Sequence, residues 1–252
     1  PVVPQPLWYS GIQISEKDLL EEFLQPGVPG CRPAEPMRPV PAVCWKGGSL
    51  LPAGKLIHPG DHLLIACSGG PDSLTLLDIL VSLRHAWNLT LTVCYVHHGI
   101  RPSADDEVGI VRKAAEERDC SFMWDFADVP RIAAGTHQSL ETAGGMNGTA
   151  SCVSAQSDAM LSYAVAHQQN EQAETVLQHL LRGSGLRGLG GIRPKNGDII
   201  RPLLALTRRD IEDYIKERGL VPCEDETNQS RDYGRNRIRL ELIPQLEAYN
   251  PA

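Results

Sequence analysis

The sequence predicts an α/β protein with a doubly wound, mostly parallel sheet, followed by a small helical region. Apolar and β-branched runs alternate with amphipathic helical patterns from Asp61 onward, and this alternation is typical of βαβ units on a parallel sheet. A glycine-rich turn also joins the first apolar run directly to a helical pattern. Open parallel sheets bind ligands beyond the carboxyl ends of their strands, so we expect a ligand site at this first strand–helix junction.

The individual elements follow from hydrophobic spacing and from helix-capping residues. Short apolar or β-branched runs predict strands at HLLIAC, LTLTVCYVHH, SFMWDFADV and DIIRPLL. Apolar residues at helical intervals predict helices at DSLTLLDILVSLRHAW, ADDEVGIVRKAAEERDC, NEQAETVLQHLLRG, TRRDIEDYIKERGL and RNRIRLELIPQLEAY. The run AMLSYAVAH is compatible with a helix that continues into a strand.

Composition divides the chain into three parts. Residues 1–60 are rich in proline and glycine and predict a poorly structured extension around one short helix, SEKDLLEEFL. Residues 61–205 hold the α/β pattern, and residues 206–252 form the small helical region. Within the second part, AAGTHQSLETAGGMNGTASCVSAQS has little periodicity and predicts a long loop.

Charge, cysteine content and hydropathy restrict the classes of protein. The net charge of −7 argues mildly against a nucleic-acid partner, but Val176–Ala252 carries 13 basic and 11 acidic residues and permits a local phosphate-binding face. Seven cysteines without a C-x-x-C pair argue for a reducing compartment and against a disulfide framework. No apolar run approaches the roughly 20 residues that a membrane span needs. We therefore expect a cytoplasmic protein without a membrane partner.

The stretch ACSGGPDSLTLL, at the first strand–helix junction, predicts an anion site. Backbone N–H groups at the start of a helix carry partial positive charge, and Gly69 and Gly70 allow an oxygen-rich ligand to approach the backbone closely. The spacing matches neither a Walker A loop nor G-x-G-x-x-G. A purely structural interpretation remains open, because Pro71 and Asp72 are also favoured residues in the first turn of a helix.

Five motifs carry a resemblance to known enzymes. SGGPDS resembles the S-G-G-x-D-S loop of the N-type ATP pyrophosphatases, and four later blocks resemble, in order, those of the tRNA(Ile)-lysidine synthetase family: YVHHGIRP, AETVLQHLLRGSGLRGLGGI, IIRPLLALTRRDIEDY and DETNQSRDYGRNRIRLELIPQL. The resemblance implies a Rossmann-like sheet of the adenine nucleotide alpha hydrolase type. It also implies that residues 61–205 bind ATP and that residues 206–252 bind tRNA or another substrate.

The same resemblance implies a two-step ligation that uses ATP and Mg²⁺. ATP adenylates the C2 oxygen of the wobble cytidine of a tRNA(Ile) with a CAU anticodon and releases pyrophosphate. Free L-lysine then displaces AMP through its ε-amino group. A homodimer is a further expectation.

Matching motif positions imply the site residues. The implied catalytic residues are Asp72, Glu171 and Arg182, and the implied metal ligands are Asp72 and Glu171. The implied ATP-binding residues are Ser68, Gly69, Gly70, Pro71, Asp72, Ser73 and His97. The implied substrate-binding residues are His167, Asn170, Glu174, Gly183, Ser184, Gly185, Arg187, Arg235, Asn236 and Arg237.

Some of these residues also have structural interpretations. Gly183 is expected to end a helix. Arg235, Arg237 and Arg239 are expected to spread around more than one helix face, with some of them in ion pairs rather than in contact with RNA. His97 and its neighbour His98 point to opposite faces of a strand, which disfavours a metal site shared by both.

Two departures from the family pattern favour an alternative function. Family members usually carry two consecutive aspartates where this sequence has Asn170 and Glu171, so binding of Mg²⁺ or of the lysine ammonium is expected to be weaker. The family's arginines after an SLE element are absent from SLETAGGMNGTASC. The alternative is a catalytically impaired homologue that binds nucleotide or tRNA. A related tRNA thiolase would need paired cysteines, which are absent. We also expect tRNA selection without the further carboxyl-terminal domain of longer members.

Overall fold

A six-stranded sheet forms the centre of the computed structural model, which describes residues 56–99, 104–129, 131, 161–223 and 234–249. The strand order is β3-β2-β1-β4-β6-β5. Every neighbouring pair is parallel except β5 with β6. The strands are β1 (His62–Ala66), β2 (Thr90–His97), β3 (Ser121–Phe126), β4 (Leu161–Ala164), β5 (Lys195–Asn196) and β6 (Ile199–Ile200). The predicted doubly wound, mostly parallel α/β fold is thus confirmed.

The helices largely follow the predicted apolar spacing. They are α1 (Pro71–Leu83), α2 (Ala104–Glu116), α3 (Gln169–Leu181), α4 (Leu186–Leu189), α5 (Arg208–Arg218), α6 (Gly234–Arg237) and α7 (Ile243–Tyr249), with a π-helical turn (Ile238–Leu242) between α6 and α7. The predicted helix SEKDLLEEFL and the predicted long loop with its arginine-free stretch lie outside the described residues.

Strand order places two chain segments next to each other at one edge of the sheet. The chain moves from β1 outward through β2 to β3 and then returns to β4, on the other side of β1. Ile65 pairs with Ala164 at the carboxyl ends of β1 and β4. In open α/β sheets, the crevice at such a reversal of strand order binds ligands. The segments that follow β1 and β4 therefore build the candidate site.

The hydrophobic core buries β1 on both faces, as expected for a central parallel strand. Leu63, Leu64 and Ile65 are at most 1% exposed. Leu56 and Ile57, which precede the predicted boundary at residue 60, are buried in the same core. The division of the chain at residues 60 and 205 stays a prediction.

A buried carboxylate attaches α5 to α1. Asp78 on α1 accepts hydrogen bonds from Tyr214 Oη at 2.9 Å and Arg218 Nε at 2.8 Å, both on α5. Arg118, which follows α2, donates to the other oxygen of Asp78 at 3.3 Å. Because Asp78 is only 3% exposed, these donors replace water around a charge that would otherwise be costly to bury.

The β5–β6 hairpin was not predicted from the sequence. Its strands have two residues each, too short for a period-two pattern, and they join through Gly197 and Asp198. Gly197 has φ +59, a conformation that favours glycine. The dipeptide Gly-Asp between Asn196 and Ile199 is the local signal for a tight hairpin that could have identified this turn.

The cysteines of the described segments differ in state. Cys67, Cys120 and Cys223 are free thiols. Cys94, within β2, is disulfide-bonded. The sequence argued against a disulfide framework, and this bond departs from that expectation because cysteine spacing does not reveal which thiols meet in the fold.

None of the helices in the described segments combines the length and the apolar composition required to cross a membrane.

Candidate functional site

The β1–α1 junction, Ser68–Ser73, begins directly after β1 and includes the first residues of α1. Gly70 is the N-cap of α1 with extended backbone angles, and Pro71 occupies the first helical position. Ser73 Oγ donates to the carbonyl of Gly70 at 3.0 Å and lies 3.4 Å from Ser68 Oγ. The junction therefore has internal hydrogen bonds that hold the exposed helix start in place, which is compatible with both the anion-site and the helix-capping interpretations.

Gly69 is required by its backbone angle and by close packing. Its φ is +82, and its carbonyl accepts a hydrogen bond from the Cys223 N–H at 2.9 Å. A Cβ at this position would lie 2.9 Å from Cys223 Sγ and 3.2 Å from Val111 Cγ2. The chain beyond α5 thus packs against the β1–α1 junction and fixes its path.

Gly69→Ala is expected to destabilise the protein more than a matched glycine substitution. Gly60 has a similar φ, +89, but a Cβ there meets nothing within 4 Å. Gly60→Ala should lower the free energy of unfolding by about 1 kcal/mol, from backbone strain alone. Gly69→Ala should lower it by about 2–3 kcal/mol, because the new Cβ also clashes with its neighbours. Urea denaturation of both variants measures the difference, and equal losses would contradict the packing contribution.

Asp72, in the first turn of α1, has a buried carboxylate oxygen. Its Oδ1 has no hydrogen-bond partner among the described residues. Burial raises the pKa of this carboxyl, while the nearby cations of Arg208 and Arg239 oppose the rise. A buried oxygen of this kind suits a bound cation, because carboxylate oxygens are the ligands that Mg²⁺ prefers.

Glu171 lies in the first turn of α3, beyond the carboxyl end of β4. Its Oε2 accepts a hydrogen bond from the Gln168 N–H at 3.2 Å, and its Oε1 lies 3.5 Å from Arg235 Nη2. Burial raises the pKa of Glu171, Arg235 opposes the rise, and the negative charge of Asp72 adds to it. The structure thus brings the predicted carboxylates Asp72 and Glu171 into one electrostatic site.

Glu174 is the anionic centre of an arginine cluster. It is fully buried and accepts hydrogen bonds from Arg235 Nε at 2.7 Å and from Arg239 Nε at 2.6 Å. Since Arg235 also contacts Glu171, this cluster links the helical segment α6 to the carboxylates of the crevice. Arg237 lies on another face and pairs with Glu241 at 3.7 Å, so the expected spread of these arginines around the helix is observed.

Asn170 connects the starts of α3 and α5. Its Oδ1 accepts a hydrogen bond from the Arg208 N–H at 3.0 Å, and the neighbouring Gln169 N–H donates to the Leu206 carbonyl at 2.8 Å. An amide oxygen serves this contact as a carboxylate oxygen would, without the charge. The substitution relative to the family pattern therefore preserves a hydrogen-bond acceptor at this position.

His167 is held neutral in the segment between β4 and α3. Arg201 Nε donates to its Nδ1 at 3.1 Å, so the ring nitrogen acts as an acceptor. Burial is the largest cause that lowers the pKa of His167 from its usual 6.5 to about 4, and the positive charges of Arg201 and Arg235 lower it further. Protonation of this ring is therefore unfavourable in the folded protein at neutral pH.

The stability of the protein should fall on acidification because of His167. A histidine with a depressed pKa in the folded state stabilises the fold above its unfolded pKa, and this contribution is lost as the pH falls. Between pH 7 and pH 5, the free energy of unfolding should fall by roughly 2 kcal/mol more in wild type than in His167→Gln, because the folded pKa of His167 is about 4. Urea denaturation at both values tests this. The exposed His85→Gln should behave as wild type, and equal pH dependence in all three proteins would contradict the expectation.

Other predicted residues lie around this centre. His97 ends β2, where its ring stacks on Phe126 with centroids 5.3 Å apart and its Nδ1 accepts the Gly99 N–H at 3.1 Å. Gly183 follows α3 with φ +73, as expected of a residue that ends a helix. The Ser184 N–H donates to the His179 carbonyl, and Gly185 is the N-cap of α4. Asn236 lies on α6 and is buried. The side chain of Arg187 lies outside the described part of the structure.

Arg182 is not placed with the carboxylates. It caps the far end of α3, 11 residues after Glu171, or roughly 16 Å along the helix axis. There it lines a groove of about 480 Å³ together with Arg237, between α3 and the helical segment that contains the π-helical turn. The site thus has a buried carboxylate centre and a separate groove whose charged lining residues are Arg182, Arg237 and Glu241, and a catalytic role for Arg182 stays a prediction.

Several residues of the site were not predicted. Arg201, Arg208 and Cys223 contact His167, Asn170 and Gly69, respectively, across long sequence separations that no local spacing reveals. Gln168 had a detectable signal, because a polar residue three positions before a glutamate is typical of a helix start. Within the described ranges, no group of three or more His, Cys, Asp or Glu side chains could hold a metal ion by itself.

Comparisons with known proteins identify the family. A family model described as a PP-loop domain matches residues 53–246. The tRNA(Ile)-lysidine synthase of Caldanaerobacter subterraneus is 41% identical over 199 residues, covering 76% of this chain and 42% of that protein. That of Geobacter sulfurreducens is 39% identical over 220 residues, covering 85% and 46%. The chain therefore spans less than half the length of these curated relatives.

A solved structure supports the fold independently. The U34-tRNA thiolase NcsA from Methanococcus maripaludis with its [4Fe-4S] cluster has a TM-score of 0.59 and 17% sequence identity, over 78% of this chain and 69% of that one. At this identity the likeness concerns the fold alone. Because the family model covers most of the chain, and because SGGPDS occupies the junction after β1, this chain belongs to the PP-loop domain family.

Proposed function

We propose that this chain carries the active site of a tRNA(Ile)-lysidine synthetase, an ATP-dependent carbon–nitrogen ligase. The observation that supports this most directly is the convergence of Asp72 and Glu171 beside the β1–α1 junction, where the strand order reverses. The relatives named tRNA(Ile)-lysidine synthase over most of this chain support the same reaction.

The β1–α1 junction is proposed to bind the phosphates of ATP. Its helix start supplies N–H donors, and the hydroxyls of Ser68 and Ser73 lie on the same turn. Asp72 and Glu171 are proposed to hold Mg²⁺. This fits the Oδ1 of Asp72, which has no hydrogen-bond partner in the described segments, and the tendency of Mg²⁺ to bind one or two carboxylates together with substrate phosphates. When bound, Mg²⁺ would neutralise charge on the departing pyrophosphate.

The residues of the crevice are proposed to serve both chemical steps. In the first step, the C2 oxygen of the wobble cytidine attacks the α-phosphorus of ATP and pyrophosphate leaves. In the second, the ε-nitrogen of lysine attacks C2, the bond from C2 to the AMP oxygen breaks, and AMP leaves. Before the second step, the carboxylates of the crevice would attract the lysine ammonium, which must lose a proton to attack.

The remaining partners are proposed from their charge. Free L-lysine would be attracted to the carboxylates of the crevice, and tRNA(Ile) with a CAU anticodon to the exposed Arg182 in the groove beside α3. We further propose a cytoplasmic location, a homodimer and a substrate-binding role for residues 206–252.

Incorporation of labelled lysine tests the proposal. The protein would be incubated with ATP, Mg²⁺, radiolabelled lysine and a tRNA(Ile) transcript with a CAU anticodon. Label in tRNA and stoichiometric pyrophosphate are expected, whereas a transcript with uridine at the wobble position should take up no label. Absence of label, beside an active reference enzyme, would overturn the proposal.

A second candidate is a homologue that binds nucleotide or tRNA without turnover. Asn170 favours it, because one of the two family carboxylates is neutral here. This candidate requires ATP binding by calorimetry without pyrophosphate release in the presence of tRNA and lysine. Asn170→Asp would then restore release, while the acceptor for the Arg208 N–H would be preserved.

A further inference from the structure

The α3–β5 segment, Gly183–Ile192, folds back along α3 and is attached to it by two side chains. His179 Nδ1 lies 2.6 Å from the carbonyl of Gly188. Gln172 Oε1 accepts the Ile192 N–H at 2.5 Å, and its Nε2 donates to the Gly190 carbonyl at 3.4 Å. Gln172 and His179 are seven residues apart, so they lie on one face of α3 about 10 Å from each other.

These contacts fix the backbone of the segment itself. The Gly188 carbonyl can only accept, so the Nδ1 of His179 must carry the hydrogen. The segment also lies so close to α3 that a Cβ at Gly191 would be 2.6 Å from Gln172 Oε1, and Gly191 has φ +59. A Cβ at Gly188 would be 2.6 Å from Ser184 Cβ. Close packing and side-chain hydrogen bonds therefore set one path for a glycine-rich segment that would otherwise be flexible.

The fixed segment connects the two parts of the candidate site. It starts beside the exposed Arg182, which lines the groove beside α3 together with Arg237. It ends at Ile192, bonded to the residue that follows Glu171. Between these points Leu186 is 89% exposed, so the middle of the segment is open to a partner. The segment thus runs along the surface from the groove towards the carboxylate crevice.

On the basis of the proposed function, we propose that Gln172 and His179 are positioning residues that hold the α3–β5 segment as a contact surface for the tRNA backbone. RNA backbones are bound by arginines, and the exposed Arg182 lies at the start of this segment. A segment ordered before binding loses less conformational entropy on binding. Neither residue is assigned a contact with ATP, lysine or the reacting atoms.

Single variants separate this role from a general structural one. Gln172→Ala and His179→Ala remove the attachments, whereas His179→Asn retains a side-chain donor for the Gly188 carbonyl. His85→Ala, an exposed histidine after α1, is the matched control. The readouts are tRNA affinity by filter binding, ATP affinity by calorimetry, and hydrogen–deuterium exchange of residues 183–192. Exchange of the β1 and β2 amides reports whether each variant is folded.

The two alanine variants should bind tRNA about three- to ten-fold more weakly, the effect of losing one or two hydrogen bonds. Their ATP affinity should be unchanged, exchange should rise only in the α3–β5 segment, and His179→Asn should recover most of the tRNA affinity. Unchanged tRNA affinity, a parallel loss of ATP affinity, or no recovery in His179→Asn would overturn the inference. Wild type that binds tRNA without incorporating lysine would overturn the proposed function alone, whereas wild type that binds no tRNA would overturn both.

Discussion

Glu174→Gln should reduce the free energy of unfolding by about 3 kcal/mol, the cost of breaking a buried ion pair by removing one partner. The wild-type carboxylate is fully buried and accepts from Arg235 at 2.7 Å and from Arg239 at 2.6 and 3.1 Å. Glutamine has nearly the same shape, but its NH₂ group would face guanidinium donors and could accept nothing from them. Two partly buried cations would then lose the charge of Glu174 between them.

A surface ion pair provides the matched control for this substitution. Glu117 pairs with Lys113 at 3.9 Å, and both side chains are exposed. Glu117→Gln should change the free energy of unfolding by less than about 0.5 kcal/mol, because exposed pairs contribute little. Urea denaturation of both variants at pH 7 gives the comparison. Similar losses in the two variants would contradict the conclusion that burial makes Glu174 important.

Glu174→Gln should also reduce lysine incorporation under conditions in which the variant remains folded. Without Glu174, Arg235 is free to pair more closely with Glu171, which now lies 3.5 Å from it. A closer cation competes with Mg²⁺ for this carboxylate and should weaken metal binding. Because this consequence concerns the proposed chemistry, activity at several Mg²⁺ concentrations distinguishes it from a loss of folded protein.

The sequence was sufficient for features that depend on neighbouring residues. The β1–α1 junction could be predicted because the strand, the glycines and the helix start follow one another directly. It was insufficient for the arginine cluster, because Glu174 lies 61 and 65 residues from its two partners. Only the four-residue spacing of Arg235 and Arg239 indicated that these two cations share a helix face. The close approach of Cys223 to Gly69 had no local signal, since the fold alone brings residues 154 positions apart into contact.

Asp72→Asn should abolish most activity and, at the same time, stabilise the protein. Lysine incorporation should fall by about 10²–10³-fold, the usual cost of removing one electrostatic contribution to a reaction with strongly charged intermediates. The midpoint temperature of unfolding should rise at pH 8. Burial raises the pKa of Asp72, so the folded state disfavours its carboxylate form. A carboxyl whose pKa is raised in the folded state favours folding below its unfolded pKa, and this contribution is lost as the pH rises through the folded pKa.

The stabilisation by Asp72→Asn should therefore disappear on acidification. At a pH below the raised pKa, wild-type Asp72 is itself neutral, so the variant removes no charge. Thermal unfolding from pH 8 down to the lowest pH at which both proteins fold follows this loss, and Asp213→Asn is the control because that carboxylate is exposed on α5. A lower midpoint temperature for Asp72→Asn at pH 8, or retained activity, would contradict the expectation.

Binding of Mg²⁺ and ATP should make wild type more stable than Asp72→Asn, the reverse of their order without ligand. In wild type, a bound Mg²⁺ would supply a direct partner for the buried Oδ1 of Asp72, which has no hydrogen-bond partner among the described residues. Mg²⁺ with ATP should then raise the midpoint temperature of wild type more than that of Asp72→Asn, because only the folded wild type gains this contact. An equal rise in both proteins would place the metal elsewhere. A buried charge that serves catalysis is expected to destabilise the folded protein when the site is empty and to stabilise it when the ligand is bound.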